Sequence, residues 1–281
     1  MQFSYLFKST LALAVITIVF ASCSKDQVGE PEGLKITEEV IDQVQSIYFN
    51  TEDIVVDEIT YPDGTKEEVY KVENDIVFTP SQLEEMIDNF VPLNEEVSER
   101  QYRTNNLVSN NQTITVCGYT GGGGYGLSSK MRTALQWSVN NYNALNTGLN
   151  FSLTFTTNYQ PYEMVVYRVP NGQVGGVAGF PSGGNPYKWI QIFSGMDNYN
   201  TNTVEHVITH EMGHGVGLRH TDWFSRQSCG QSGESAGPDG AVHIPGTPTG
   251  FDSGSVMLAC FGSNEDGEFG FYDRVALEFL Y

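Results

Sequence analysis

Hydrophobic and polar positions divide the chain into segments of different rhythm. Residues 11–20 form an apolar run interrupted only by Thr17, and no later run reaches membrane length. From there the spacing turns helical, with Ile36, Val40, Ile41, Val44 and Ile47 on one face. Residues 54–56 and 69–78 are rich in β-branched residues and predict short strands around the turn Pro62-Asp63-Gly64. Residues 81–90 predict a helix, with Ser81 as cap and Glu84 at the capping-box place. Residues 100–112 are polar and predict an exposed linker that a protease can cut. Strands are then predicted over 113–116, 149–156, 164–169 and 189–193, and a helix over 128–145 with Met131, Leu135, Val139 and Tyr142 inward. A glycine-rich loop covers 172–184. A second long helix begins at Asn202, with Glu205 three residues on, and a short apolar helix at 272–281 closes the chain. Strands mixed with helices in this order indicate an α+β class.

Charge sharpens the division. The 281 residues carry a net charge of -20, which argues against nucleic acid and anionic lipid headgroups as partners. The excess is uneven: residues 24–110 hold 21 acidic and 6 basic side chains, residues 111–281 hold 13 and 7. The segment 34–100 has no His and no Cys, so it offers no catalytic cluster of its own. The apolar run near the start, preceded by Lys8, is too short to span a bilayer and predicts an export signal. It ends in Phe20-Ala21-Ser22-Cys23, which resembles the lipobox of bacterial lipoproteins; the resemblance implies lipidation of Cys23 and anchoring to the outer membrane, on its periplasmic face or at the cell surface. Residues 23–33 then form a polar tether. Export permits disulfides, and of Cys117, Cys229 and Cys260 the last two are the favoured pair because both lie in the C-terminal portion.

The chemistry concentrates on the Asn202 helix, in His210-Glu211-Met212-Gly213-His214 followed by Gly217 and His220. Residues four apart share a helix face, so His210 and His214 present two imidazoles to one ion. Gly217 lets the chain leave the helix abruptly and return His220 to the same place. Three nitrogen ligands with a fourth position open describe a catalytic zinc site, and Glu211 is placed to act as general base on water there.

This H-E-x-x-H-x-x-G-x-x-H pattern resembles the metzincin clan of zinc metalloendopeptidases. Ser255-Val256-Met257 fits the clan's methionine turn, with Met257 as an apolar floor under the metal, and residues 271–277 fit its C-terminal helix. Residues 210–223 and 241–248 are more narrowly similar to the bacterial dual-action HEIGH metallopeptidases, with Met212 where that name has Ile. The resemblance covers roughly residues 110–281. It implies a twisted sheet with two long helices above an irregular lower subdomain that starts near Gly217, with 189–193 as an antiparallel edge strand able to pair with an extended substrate. Ala259, two residues past Met257, replaces the metal-approaching Tyr of astacin-like and serralysin-like members, which argues against help from such a side chain.

Other features carry less. Gly121, Gly123 and Gly126 match a dinucleotide fingerprint, but no Asp or Glu lies between Gly126 and Glu163 to hold a ribose, so no nucleotide is expected. His206 reads as a core or supporting residue. His243 reads as either a substrate-pocket residue or a structural loop histidine, and Asp222 as a candidate to orient a ligand imidazole. Asp252, Glu265, Asp266 and Glu268 do not reproduce a calcium-loop spacing. Buried Cys117 reads as a free thiol.

The layout expected is thus a signal (1–22), the tether (23–33), an acidic unit with linker (34–108) and a catalytic domain (109–281). The function expected is zinc-dependent hydrolysis of peptide bonds in protein or peptide substrates. The acidic unit, placed before a cleavable linker, reads as a prosegment with a carboxylate that can ligate the open zinc position; a permanent spacer is the alternative. The competing function is a surface-anchored zinc- or glycan-binding lipoprotein without turnover. Glu211 favours the enzyme, because binding alone has no use for it.

Overall fold

A computed structural model describes residues 33–90, 102–223, 225–231, 242–248 and 251–281. The signal, Cys23 and Arg100 lie outside them. The N-terminal unit runs α1 (Glu38–Ser46), β1 (Val55–Thr60), β2 (Lys66–Val72), β3 (Ile76–Phe78) and α2 (Pro80–Asp88). Its three strands form an antiparallel sheet in chain order, with the expected Pro-Asp-Gly turn joining β1 to β2. The apolar run at 69–78 is two strands rather than one, because Glu73 and Asn74 adopt positive φ and turn the chain between β2 and β3. The cap of α2 is Thr79, not Ser81, in a capping box with Gln82, and Pro80 occupies the first turn. Val44, Phe49, Val72, Ile76, Phe78 and Leu83 form the core of this N-terminal part, and Phe180 from later in the chain is packed into it.

After β4 (Tyr102–Arg103) come β5 (Thr113–Tyr119), α3 (Ser129–Asn143), β6 (Asn150–Thr156), β7 (Met164–Val169), β8 (Gly176–Val177), β9 (Trp189–Phe193), α4 (Thr201–Val216), β10 (Val242–His243) and α5 (Phe271–Leu280), and residues 34–281 form one compact unit. The sheet order is β6-β5-β7-β9-β8, parallel throughout except for β8. β7 and β9 are apolar nearly without alternation, as strands covered on both faces must be. Two long helices, α3 and α4, pack together; Tyr142 Oη donates to the Thr209 carbonyl at 2.9 Å. This mixed sheet with two long helices and an irregular C-terminal part is the arrangement that the metzincin resemblance implies.

Several expectations are corrected. β9 is not an antiparallel edge strand: it lies inside the sheet, parallel to β7, and the antiparallel edge is β8, hidden in what the sequence reads as a glycine-rich loop. Its two residues are too few to leave a period-two pattern. α4 is capped by Asn200, whose side chain accepts from Thr203 N at 2.9 Å, rather than by Asn202. The linker is not uniformly exposed. Tyr102 and Val108 are buried, β4 pairs with β10, and only Ser109–Asn111 are well exposed among its described residues.

Glu205 faces α3 rather than closing a capping box, and accepts from Asn141 Nδ2 at 2.9 Å. Burial, with Glu268 and Asp266 nearby, pushes its carboxyl up from 4.5 to about 7. A carboxyl raised in the folded state contributes stability fully present below its unfolded value and lost as pH rises through the folded one. Chemical denaturation should therefore show stability falling between about pH 4.5 and pH 7, and the variant E205Q should flatten that slope. An unchanged slope would remove Glu205 as its source.

Candidate active site

α4 begins at its Asn200 cap and ends where Gly217 takes φ 111°, a left-handed conformation that the next residues need in order to turn back. A Cβ at Gly217 would also lie 2.7 Å from Leu107 Cδ2 and 3.0 Å from the Asn106 carbonyl. G217A should therefore cost about 2 kcal/mol or more and weaken metal retention, read as a lower thermal midpoint with and without zinc. An unchanged midpoint would contradict the strain.

Beyond that turn His220 rejoins His210 and His214. Their Nε2 atoms lie 3.0, 3.2 and 3.3 Å apart. Each Nδ1–H donates to an oxygen: His210 to the Val256 carbonyl at 2.8 Å, His214 to the Leu218 carbonyl at 2.8 Å, and His220 to Glu73 Oε2 at 3.0 Å. All three Nε2 lone pairs therefore face one point, an arrangement that repels unless a cation sits there. A fourth donor completes it. Asp75 Oδ2 is 3.1 Å from His220 Nε2 and 3.4 Å from His210 Nε2. Ligands at 2.0–2.1 Å on a tetrahedral ion stand about 3.3 Å apart, so three imidazoles and one carboxylate fit zinc.

Asp75 and Glu73 come from the N-terminal unit, where the sequence offered no cluster. They flank the tip between β2 and β3. Glu73 is fully buried, paired with Arg219 Nη2 at 3.0 Å as well as with His220. Against its burial, Arg219 and His220 hold its carboxyl below the usual range. Arg219 in turn stacks on Phe49 and donates to the Tyr48 carbonyl. The backbone takes part too: Ala178 N donates to the Asp75 carbonyl and Val77 N to the Ala178 carbonyl, a parallel bridge beside β8. The edge of the larger sheet is thus covered by the same segment that supplies Asp75.

Glu211 lies under that edge. A Cβ on Gly176 would meet Glu211 Oε1 at 2.8 Å, so only glycine lets β8 pass so close. Glu211 Oε2 is buried with no partner among the described residues, and burial, with Asp75 nearby, raises its carboxyl well above the usual range. Met257 is buried against α4, where a Cβ on Gly213 would meet its sulfur. Asp273 of α5 anchors this turn by accepting from Val256 N at 2.9 Å and Ser255 Oγ at 2.7 Å. Cys229 and Cys260 form a disulfide, while Cys117 is a buried free thiol.

The sequence profile of the dual-action HEIGH metallopeptidases matches residues 69–281, which takes in Asp75 as well as the histidines. The chain belongs to that family. It is a zinc metalloendopeptidase. Among solved structures it is similar to two of myroilysin: one at 13% identity over 59% of this chain and 78% of that one, with TM-score 0.37, the other at 14% over 62% and 85%, with TM-score 0.38. No curated protein matches.

The geometry overturns the role expected of Asp222 and decides between the two open for His243. Asp222 does not orient a ligand imidazole; its oxygens accept from Ala259 N and Ser228 N, both at 2.9 Å, and tie the disulfide loop to the methionine turn. His243 bonds Thr247 Oγ1 at 2.9 Å on the β4–β10 side and does not line the cavity beside the metal site. That cavity, of about 500 Å³, is bounded by Asp75, His206, His210, Glu211 and the residues after Met257.

Proposed function

We propose that the chain is an exported, lipid-anchored member of its family, kept latent by its N-terminal unit until the linker is cut near Arg100 or Arg103. The supporting observation is the Asp75 carboxylate beside the three imidazoles, where water must enter for hydrolysis. His210, His214 and His220 would hold zinc, which would supply a Lewis acid that polarises a carbonyl and lowers the pKa of water. Glu211 takes a proton from water and returns it to the leaving amine as the C–N bond breaks, so that water is added across the peptide bond. With the prosegment gone, β8 has free backbone groups for an extended substrate.

Export and anchoring rest on residues 1–23. No helix among the described residues is long and apolar enough to cross a membrane, and the lipid on Cys23 is the proposed attachment. C23S should move the protein from the membrane fraction to the soluble one. Latency is tested by assaying zinc-loaded chain on quenched peptides before and after cleavage at Arg100. Activity should rise at least about tenfold, whereas equal activity would make the N-terminal unit a spacer.

A further inference from the structure

Three buried polar atoms on residues lining the cavity beside the metal site have no hydrogen-bond partner among the described residues: Asp75 Oδ1 and Glu211 Oε2, which belong to the catalytic centre, and His206 Nε2, which does not. His206 Nδ1–H donates to the Asp266 carbonyl at 2.8 Å, which leaves the lone pair on Nε2. Nε2 is buried and unbonded among the described residues, on a ring that lines the cavity. A buried acceptor left unpaired is costly, and it discriminates strongly between ligands that satisfy it and ligands that do not. The walls leading to it are apolar: Phe193, Tyr199, Val207 and Phe261. Beyond His206 a smaller adjoining cavity is bounded by Glu265, Asp266 and Glu268.

We propose that this cavity is a specificity pocket for lysine or arginine, with His206 Nε2 accepting from the cationic tip, so that the enzyme cuts on the N-terminal side of a basic residue. The proposal rests on the endopeptidase reading and names its substrate class. The direction follows from Glu211, which lines the same cavity and protonates the leaving amine; the side chain inside belongs to the residue bearing that amine. A long alkyl stem suits the aromatic walls, a terminal donor suits Nε2, and the acidic rim favours a cation over a neutral donor. Lys71 of the N-terminal unit, ion-paired to Asp57, is the single cation among the residues lining the two cavities.

Two readouts test this separately from catalysis. In peptide libraries digested by linker-cut, zinc-loaded protein, arginine or lysine after the scissile bond should exceed norleucine by tenfold to a hundredfold in kcat/KM. H206L should erase that ratio while cleavage before norleucine persists, and H206Q, which keeps an acceptor, should retain part of it. Calorimetry with n-butylguanidinium on the linker-cut, zinc-loaded protein needs no turnover; H206L should weaken its binding at least tenfold. Equal cleavage before arginine and norleucine, or equal guanidinium binding by wild type and H206L, would overturn the proposal. Protein that binds guanidinium through His206 yet cuts no peptide would instead count against the endopeptidase reading.

Discussion

The variant D75A is expected to hydrolyse peptides in the uncut, zinc-loaded chain roughly a hundredfold faster than wild type. A carboxylate held by its own fold beside the metal acts at a high effective concentration, which water must overcome to occupy the same place. Alanine removes that competitor and leaves the three imidazoles, each with its Nδ1–H anchored, undisturbed. The gain should remain short of full activity. Asp75's neighbours still cover the edge at Ala178, and Glu73 still grips Arg219 and His220. Cutting the linker in D75A should therefore add a further increase. A D75A chain that binds zinc and stays as inactive as wild type would show that restraint comes from covering the edge alone.

The second large effect is expected at Glu211. E211A in linker-cut protein should lose about 10³-fold or more in kcat/KM, at the upper range for a positioned acid–base group, with zinc still bound. Glu211 lies outside the four-residue donor cluster, so its removal leaves the metal ligands in place. Metal content by plasma emission and activity on quenched peptides separate the two. Unchanged hydrolysis would remove Glu211 from the reaction, and loss of zinc would show that it has a structural share in the site.

Legibility in the sequence followed the range of the interactions involved. His210, His214 and Glu211 are related by one helix's periodicity, and Gly217 by one turn, so local geometry announces the ligand set. The long helices and β7 declared themselves through sustained apolar patterns. β8 did not, because two residues have no period, and β9 took its place as the expected edge although its uniform apolarity already matched a strand covered on both faces. Asp75 is the larger omission. Nothing local marks it as a ligand, since it reaches the site only when β3 docks beside Ala178. The available signal was the polar break Glu73-Asn74-Asp75 inside an apolar run, which marks a turn tip. His206 was legible as buried, but not as an acceptor left without a partner, because that depends on the Asp266 carbonyl sixty residues away.

In the intact chain, three imidazoles and the Asp75 carboxylate are expected to share one zinc ion. Anomalous diffraction at the zinc edge, on crystals of the zinc-loaded full-length protein, tests it most directly. One peak is expected among the Nε2 atoms of His210, His214 and His220, with an Asp75 oxygen at about 2.0–2.2 Å from it. A peak with water in the fourth place and Asp75 turned away would contradict it.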